Sequence, residues 1–261
     1  MPTLPSPLFL AALACTCSLT VLAAQDADSS LGIHANAGLV SAYMAHGLEI
    51  HDGACFQPSV AVDAVLPGLQ FKLWNSTTID RDQYAHDEYD GMMLYGRRLG
   101  SGWNAIDLHG YVDYWVLPHA NRPEGRQTGW KFNAGTGLPT LISVGKVMVG
   151  IGYDLYHWTP DQADSFEAGS VHEGTMSVAC DLPPAYVDRG LRQVVVSGQA
   201  DYHTGEFGVK RGLGNADLGL SLPIAWKSVS LTPTVWHQWS FIDSVAPQDR
   251  TWATINLGWN F

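Results

Sequence analysis

Charged residues are scarce in this sequence of 261 residues, where they make up 15% of the chain. A typical soluble domain carries about a quarter. Basic residues are the rarer sign, with 14 Lys and Arg against 25 Asp and Glu. The resulting net charge of −11 leaves no basic stripe to neutralise phosphates, so nucleic acid is excluded as a partner. The same balance argues against docking from solution onto anionic lipid.

Long apolar runs are also missing. After residue 24, no segment reaches the roughly 18 continuous apolar residues that a membrane-spanning helix needs. The segment Phe9–Ala24 is apolar, and the small residues at its end form a cleavage site. We therefore predict a secretory signal peptide at residues 1–24 and a mature chain of residues 25–261. A retained anchor is disfavoured, since the run spans only about 16 residues before the chain turns polar.

Cysteine is rare, with four in the chain. Cys15 and Cys17 leave with the predicted signal peptide. Cys55 opens one predicted strand and Cys180 closes another that runs the same way, which places them at opposite rims. A disulfide needs Cα atoms about 4.4–6.8 Å apart. We therefore expect both thiols to stay unbonded despite an oxidising compartment.

Metal-binding patterns are absent. The ten His residues are scattered, with no His-x-His or Cys-x-x-Cys pair, so we predict no metal site and no cofactor. The acidic stretches Asp80–Asp90 and Asp161–Glu173 have two interpretations. In the first, they bind divalent cations that bridge lipopolysaccharide molecules. In the second, which we favour, they are solvated loops.

What the sequence does contain is clearest in its last segment, Thr251–Phe261. Alternate residues from Ala253 to Phe261 are apolar, and the residues between them are small or polar. A period of two predicts a strand with one apolar face. Its length of about 11 residues suits a tilted strand that crosses a bilayer. A terminal aromatic is typical of the closing strand of outer-membrane barrels, so we predict an assembly signal formed by Phe261, Trp259 and Leu257.

The same alternation recurs along the chain between turn residues. The first stretch, Leu31–His46, precedes a tight turn predicted at Glu49–Gly53, and twelve strands follow in all. Short connections alternate with longer polar ones, a rhythm typical of outer-membrane barrels. Ten Trp and ten Tyr suit the aromatic girdles of such a barrel. The predicted fold is all-β: one antiparallel transmembrane β-barrel of about 12 strands in the outer membrane of a Gram-negative bacterium.

Polar residues on the inward faces of these strands predict the lining of the lumen. In a wide barrel they line water, and in a narrow one they form a packed polar core with buried pairs. The lumen-lining residues that we predict to set ion selectivity are Asp107, His109, Asp113, Asp201, His203 and Asp217.

An enzyme built into the barrel wall needs a base and a nucleophile on one face. In the local match His237-Gln238-Trp239-Ser240, His237 and Ser240 point to opposite faces of a strand. In Tyr202-His203-Thr204, the hydroxyl of Thr204 again lies on the other face. We predict that the chain is not an enzyme.

The stretch Ser41-Ala42-Tyr43-Met44-Ala45-His46-Gly47, followed by Gln57-Pro58-Ser59, resembles the N-terminal region of the TorF-type porin family. In that family a Ser-x-Tyr strand runs into an Arg-Gly turn, and the second strand opens on a Gln. Here His46 occupies the position of the Arg. The resemblance covers about 20 residues and implies a bacterial outer-membrane barrel that acts as a pore, with no catalytic residue to carry over.

The predicted function is passive diffusion of small hydrophilic solutes, with cations or neutral solutes favoured by the acidic lumen. Two alternatives remain. One is a structural or adhesive barrel with a plugged lumen, and the other is a secreted soluble β-sandwich that binds carbohydrate. The predicted partners are the lipid bilayer with its lipopolysaccharide, the outer-membrane insertion machinery and small hydrophilic solutes.

Overall fold

The computed structural model describes residues 32–79, 87–118, 127–161, 167–246 and 248–261. The predicted signal peptide, with Cys15 and Cys17, lies outside these residues. Parts of the two acidic stretches, residues 80–86 and 162–166, lie outside them as well.

Twelve antiparallel strands form one closed sheet, in which each strand pairs with its neighbours and the first pairs with the last. This confirms the predicted barrel and contradicts the soluble β-sandwich. The wall strands are β1 (Ile33–Val40), β4 (Cys55–Asp63), β5 (Leu69–Thr78), β6 (Glu88–Leu99), β7 (Ile106–Leu117), β8 (Gln127–Val144), β9 (Val147–Pro160), β10 (Gly169–Asp181), β11 (Gln193–His203), β12 (Gly212–Ser221), β14 (Val229–Ser240) and β15 (Arg250–Asn260).

The remaining elements are short. The strands β2 (Tyr43–Ala45) and β3 (Leu48–His51) pair only with each other, and β13 (Ile224–Trp226) extends the start of β14. One helical turn, α1 (Pro184–Val187), lies between β10 and β11, and 3₁₀ turns occupy Gly102–Asn104 and Glu206–Gly208. None of the helical segments in the described ranges has the length or apolar content to cross a membrane.

Side chains alternate between the lumen and the outer wall, as a pleated strand requires. In β7, Tyr111, Asp113 and Trp115 are buried in the lumen, whereas Ile106 and Leu108 are exposed on the outer wall. Other strands repeat the pattern, so the outer wall presents apolar residues to its surroundings. These include Phe71, Leu73, Met93, Phe132, Ile151, Met176, Leu218, Leu220, Val235 and Ile255.

The two ends of the barrel differ. Both ends of the described chain lie at one end, where the backbone N–H of Phe261 donates to the Ile33 carbonyl at 2.9 Å. We call this the inner end, and it carries the tight β8–β9 turn at Gly145-Lys146. The opposite, outer end carries the longer connection of residues 204–211. The connection between β10 and β11, which contains α1, is the longest at the inner end. At this connection the predicted alternation of short and long loops does not hold.

Two expectations about loops need correction. Asp90 and Glu173 were assigned to solvated acidic stretches, yet they lie in β6 and β10 and are buried in the lumen. These ends of the two acidic stretches are strands rather than solvated loops, because their polar side chains face the lumen. The thiols of Cys55 and Cys180 are both free, Cys55 buried at the outer end of β4 and Cys180 exposed near the inner end of β10.

A charge on the outer wall tests the orientation of the strands. Val112 lies in the middle of β7, facing outward between Met93 and Phe132 on the neighbouring strands. We expect Val112→Arg to cost about 2–4 kcal/mol, because an Arg at mid-membrane loses its hydration. Leu66→Arg, in an exposed turn at the inner end, is the control and should cost far less. Urea unfolding of the barrel in lipid vesicles measures both, and equal losses would contradict the assignment of the outer wall.

Candidate functional site

A β-hairpin, residues 41–54, leaves the wall between β1 and β4 and folds into the lumen. The predicted first strand, Leu31–His46, is therefore wrong at its end: β1 stops at Val40 and residues 43–45 belong to β2. The predicted turn at Glu49–Gly53 is also misplaced. The turn is at His46-Gly47, between the paired residues Ala45 and Leu48.

The backbone of this turn explains its position. His46 has φ of 49° and Gly47 has φ of 78°, so both central residues are left-handed. That is the signature of a two-residue type I′ turn, whose twist matches the strands on either side. A His-Gly pair flanked by apolar residues is the signal that locates this turn in the sequence.

Two adjacent residues of the hairpin fill the lumen. Tyr43 and Met44 point in opposite directions from β2, and each is only 4% exposed. Tyr43 packs in an aromatic cluster with Trp74, whose ring centroid lies 5.9 Å away. Met44 packs against Trp236 and Trp252 on the other side. The hairpin therefore contacts opposite sides of the barrel, and apolar burial holds it across the lumen.

Polar contacts fasten the hairpin along its length. The Tyr43 hydroxyl donates to Glu88 Oε2 at 2.7 Å, and Gln238 Nε2 donates to the Gly47 carbonyl at 2.8 Å. The guanidinium of Arg250 donates to Glu49 Oε1 at 2.7 Å. A buried hydrogen bond contributes about 0.5–1.5 kcal/mol, and more where a charge takes part. These three bonds join the hairpin to β6, β14 and β15.

The tip of the hairpin carries a buried histidine. The ring of His46 packs against Tyr156, with 4.1 Å between centroids, and meets Trp158 edge-on at 5.1 Å. Its Nδ1 lies 3.5 Å from Glu173 Oε2. Burial lowers the pKa of His46 to about 4, and the nearby Asp201 carboxylate offsets this only in part. The imidazole is therefore neutral near pH 7.

A second loop contributes to the closure. Phe207, in the outer connection between β11 and β12, lies 5.8 Å from the Trp158 ring and 6.3 Å from the Trp115 ring. The outer half of the lumen is thus packed with aromatic side chains from the wall, the hairpin and this loop. At this level the lumen is the packed core expected of a narrow barrel.

The lumen on the inner side of the hairpin has a different character. A cavity lies there, and residues 42–47 of the hairpin close it on its outer side. The wall around it is mixed, with Trp74, Trp236 and Trp252 next to the hairpin and polar side chains elsewhere. The polar lining residues are Asn36, Gln57, Ser59, Lys72, Gln199, Asp217, Thr254 and Asn256. We call this space the vestibule.

Three of the predicted lumen residues form separate pairs. Asp107 binds the Arg98 guanidinium through two hydrogen bonds of 2.6 and 2.7 Å near the inner end. His109 Nε2 lies 2.6 Å from Asp154. Asp113 forms an ion pair with Lys131, whose Nζ lies 2.9 Å from Asp113 Oδ2 in the packed outer half. Each of these charged groups thus has a partner of opposite or complementary character.

The other three predicted residues lie together on β11 and β12. Asn215 Nδ2 donates to Asp201 Oδ2 at 2.9 Å and to Asp217 Oδ2 at 3.2 Å, so one amide joins the two carboxylates. His203 pairs with Glu206, and both are fully buried. Of the six predicted residues, only Asp217 also lines the vestibule.

Histidines on the outer wall meet hydroxyl groups across strands. His157 Nδ1 lies 2.9 Å from Ser170 Oγ, its direct partner on β10. The sequence test for an enzyme compared residues along a single strand, so it missed this pair. A Ser–His nucleophile also needs a third group that orients the ring. Within the described part of the chain, no side chain contacts the other ring nitrogen of His157.

Known proteins resemble the chain in fold but not in sequence. No protein-family model and no curated protein matches it, so the resemblance to TorF-type porins stays a prediction. An outer-membrane channel of Pseudomonas putida superposes with a TM-score of 0.53 at 8% identity, over 92% of this chain and 98% of that one. The fold is that of a bacterial outer-membrane barrel. LpxR from Salmonella typhimurium has a TM-score of 0.51 at 9% identity, over 87% and 99%.

This likeness concerns the fold, and the apolar outer wall supplies the physical reason for it. Exposed Leu, Ile, Val and Phe side chains around a closed sheet are suited to lipid and not to water. The barrel matches Gram-negative outer-membrane proteins, which is the location that the closing strand predicts.

The seating of the hairpin depends on the absence of a side chain at Gly47. A Cβ there would lie 2.1 Å from Asn215 Oδ1, and the residue has a left-handed φ. We expect Gly47→Ala to unseat the tip and to speed hydrogen exchange of residues 42–52. Gly145→Ala is the matched control, because Gly145 has φ of 60° but open space around it. Exchange that is equally slow in both variants would contradict the seated hairpin.

Proposed function

We propose that the chain is an outer-membrane channel for passive diffusion of small hydrophilic solutes, closed at rest by the hairpin of residues 41–54. The observation that carries the proposal is the vestibule: a cavity in the inner half of the barrel that has polar side chains in its wall and ends against the hairpin. Polar side chains around a cavity favour water and hydrated solutes. The packed outer half then acts as a gate.

The strength of the seat bears on how such a gate works. The hairpin is held by side-chain hydrogen bonds with Glu88, Gln238 and Arg250 and by the burial of Tyr43 and Met44. At its base, Ser41 is also hydrogen-bonded to Ala253. A net preference of a few kcal/mol leaves a minor open state populated at about 0.1–10%. We therefore expect a channel that is mostly closed and opens briefly.

Selectivity in this channel falls mainly to Asp217. Asp107 and Asp113 each pair with a cation, and His109 pairs with Asp154, which reduces their field on a passing ion. Asp217 faces the vestibule, and the group that donates a hydrogen bond to it is the Asn215 amide, not a cation. Asp201 and His203 are buried on the outer side of Asp217, so they act on ions only after the hairpin leaves the lumen.

The second candidate is the barrel with a plugged lumen that serves as a structural or adhesive element. The fully packed outer half favours it, since aromatic rings and buried hydrogen bonds occupy the space that a solute would cross. The prediction that the chain is not an enzyme also stays a prediction. Conductance separates the two candidates.

The other predicted partners are part of this proposal. Trp259 and Leu257 face outward on β15, and Phe261 is 79% exposed at the inner end. We propose that these three residues are recognised by the outer-membrane insertion machinery, and that lipopolysaccharide contacts the outer wall near the long connections.

Removing the hairpin tests the gate. We expect replacement of residues 42–53 by a Gly-Ser linker to convert brief openings in planar bilayers into steady conductance, because the vestibule then continues to the outer end. The control is the same linker in place of residues 184–189, an exposed connection outside the lumen. If the hairpin-less variant folds, as judged by its shifted mobility in unheated gels, but shows no conductance, the result would instead support the structural barrel with a plugged lumen.

The charge of the vestibule has its own test. In the hairpin-less barrel, Asp217→Asn should lower the cation-to-anion permeability ratio, because it removes a carboxylate from the polar wall. Asp188→Asn, in the exposed link next to α1, removes the same charge outside the lumen. The reversal potential in a KCl gradient measures both. An identical ratio in the two variants would remove Asp217 from the selectivity site.

A further inference from the structure

Three side chains from separate parts of the chain converge in the centre of the barrel. His46 comes from the tip of the hairpin, Glu173 from β10 and Asp201 from β11, where Glu173 and Asp201 are direct cross-strand partners. One donor atom from each lies within 4.8 Å of the other two. His46 is 9% exposed, and both carboxylates are fully buried. Such a spacing between one imidazole and two carboxylates is that of a metal-binding group.

Two donor atoms in this cluster are buried without a hydrogen bond. His46 Nδ1 has none, and its 3.5 Å separation from Glu173 Oε2 is longer than a hydrogen bond between these atoms. Asp201 Oδ1 also has none, although Asp201 is completely buried. Buried polar atoms nearly always have a partner, so these two indicate an occupant between them.

The surroundings hold the carboxylates in position. Asp201 Oδ2 accepts from Gln199 at 3.0 Å and from Asn215 at 2.9 Å, which turns Oδ1 away from both amides. The Tyr156 hydroxyl approaches Glu173 Oε1 at 3.5 Å. Outer hydrogen bonds of this kind orient the ligands of metal sites.

The charge of the surrounding side chains indicates that the occupant is a cation. Two carboxylates face each other across the strands. Lys131, a lysine of the lumen, forms ion pairs with Asp113 and Asp90. A divalent cation neutralises the pair, and its protein ligands include a nitrogen, which favours a transition metal over Mg²⁺ or Ca²⁺.

The separation between His46 and Glu173 suits zinc in particular. Bonds of about 2.0–2.2 Å to nitrogen and oxygen place two ligands of a tetrahedral zinc about 3.4 Å apart. The observed 3.5 Å between His46 Nδ1 and Glu173 Oε2 is close to that value. Three protein ligands leave the fourth position for water.

We propose that His46, Glu173 and Asp201 form a site for a divalent transition-metal ion, with Zn²⁺ as the best match, that fastens the hairpin to the barrel wall. The ligands come from the hairpin and from two wall strands, so the ion joins parts that are otherwise held by packing and single hydrogen bonds. The site requires the seated hairpin but not conduction, so it stands independently of the channel proposal.

The test uses the full chain, purified in detergent without a histidine tag and stripped with chelator. We expect one Zn²⁺ per barrel by calorimetry, and Co²⁺ in its place should give the visible absorption of a tetrahedral site with nitrogen and oxygen ligands. His46→Gln should weaken Zn²⁺ binding at least tenfold. His109→Gln, which removes another lumen histidine that pairs with Asp154, should leave the affinity unchanged.

A second readout does not depend on a variant that folds. In the unmutated protein, Zn²⁺ should slow hydrogen exchange of residues 42–52, because the ion ties their turn to β10 and β11. Mg²⁺ at the same concentration should have no such effect. Absence of stoichiometric Zn²⁺ binding, as expected if water alone occupies the site, would overturn the proposal. Equal affinity in His46→Gln and the unmutated protein would overturn it as well.

Discussion

The pairing of β1 with β15 is the constraint on which the rest of the structure depends. In hydrocarbon, a backbone N–H or C=O without a partner costs several kcal/mol, so a sheet there has to close on itself. The pairing from His34–Asn260 to Val40–Thr254 meets that need. Closure over twelve strands also determines the width of the lumen, which is too narrow to leave every inward side chain in water and too wide to be filled by the wall alone. In the outer half, the hairpin fills the space that the side chains of the wall leave open.

The lumen shows how a polar interior is made acceptable. Among the described residues, buried carboxylates outnumber buried lysines, and they are distributed into local groups with different partners. Asp113 has Lys131, Asp154 has His109 and Asn133, and Asp201 has Asn215 and Gln199. The hairpin takes part in the same scheme through Tyr43 and Glu88. Its removal would expose both apolar rings and hydrogen-bond acceptors, so the hairpin is part of the packed core of the lumen.

Much of the wall follows from the period-two pattern, because a strand between lipid and a polar lumen must alternate. This is why the twelve strands, and the inward direction of Tyr111 and Asp113, follow from sequence. The hairpin does not follow from this pattern, because its residues continue the alternation of β1 while the backbone leaves the sheet. The only sequence signal for the hairpin is its His46-Gly47 turn. The groups formed in the lumen depend on register: Glu173 meets Asp201 because β10 and β11 pair at that offset. Spacing along the chain contains no trace of His46 joining them, nor of His157 facing Ser170.

The hairpin is attached to the wall at both ends, by Val40 before it and by Cys55 after it. A plug of this kind is a tethered ligand, whose effective concentration at its own binding site is in the millimolar range for a short connection. Its return to the lumen is a unimolecular step, and its rate is independent of how much protein the membrane contains. The tether also sets a maximum displacement, since the released segment stays at the outer end next to the mouth that it leaves. In the proposed channel, closure therefore needs no partner protein, because each barrel contains one hairpin of its own.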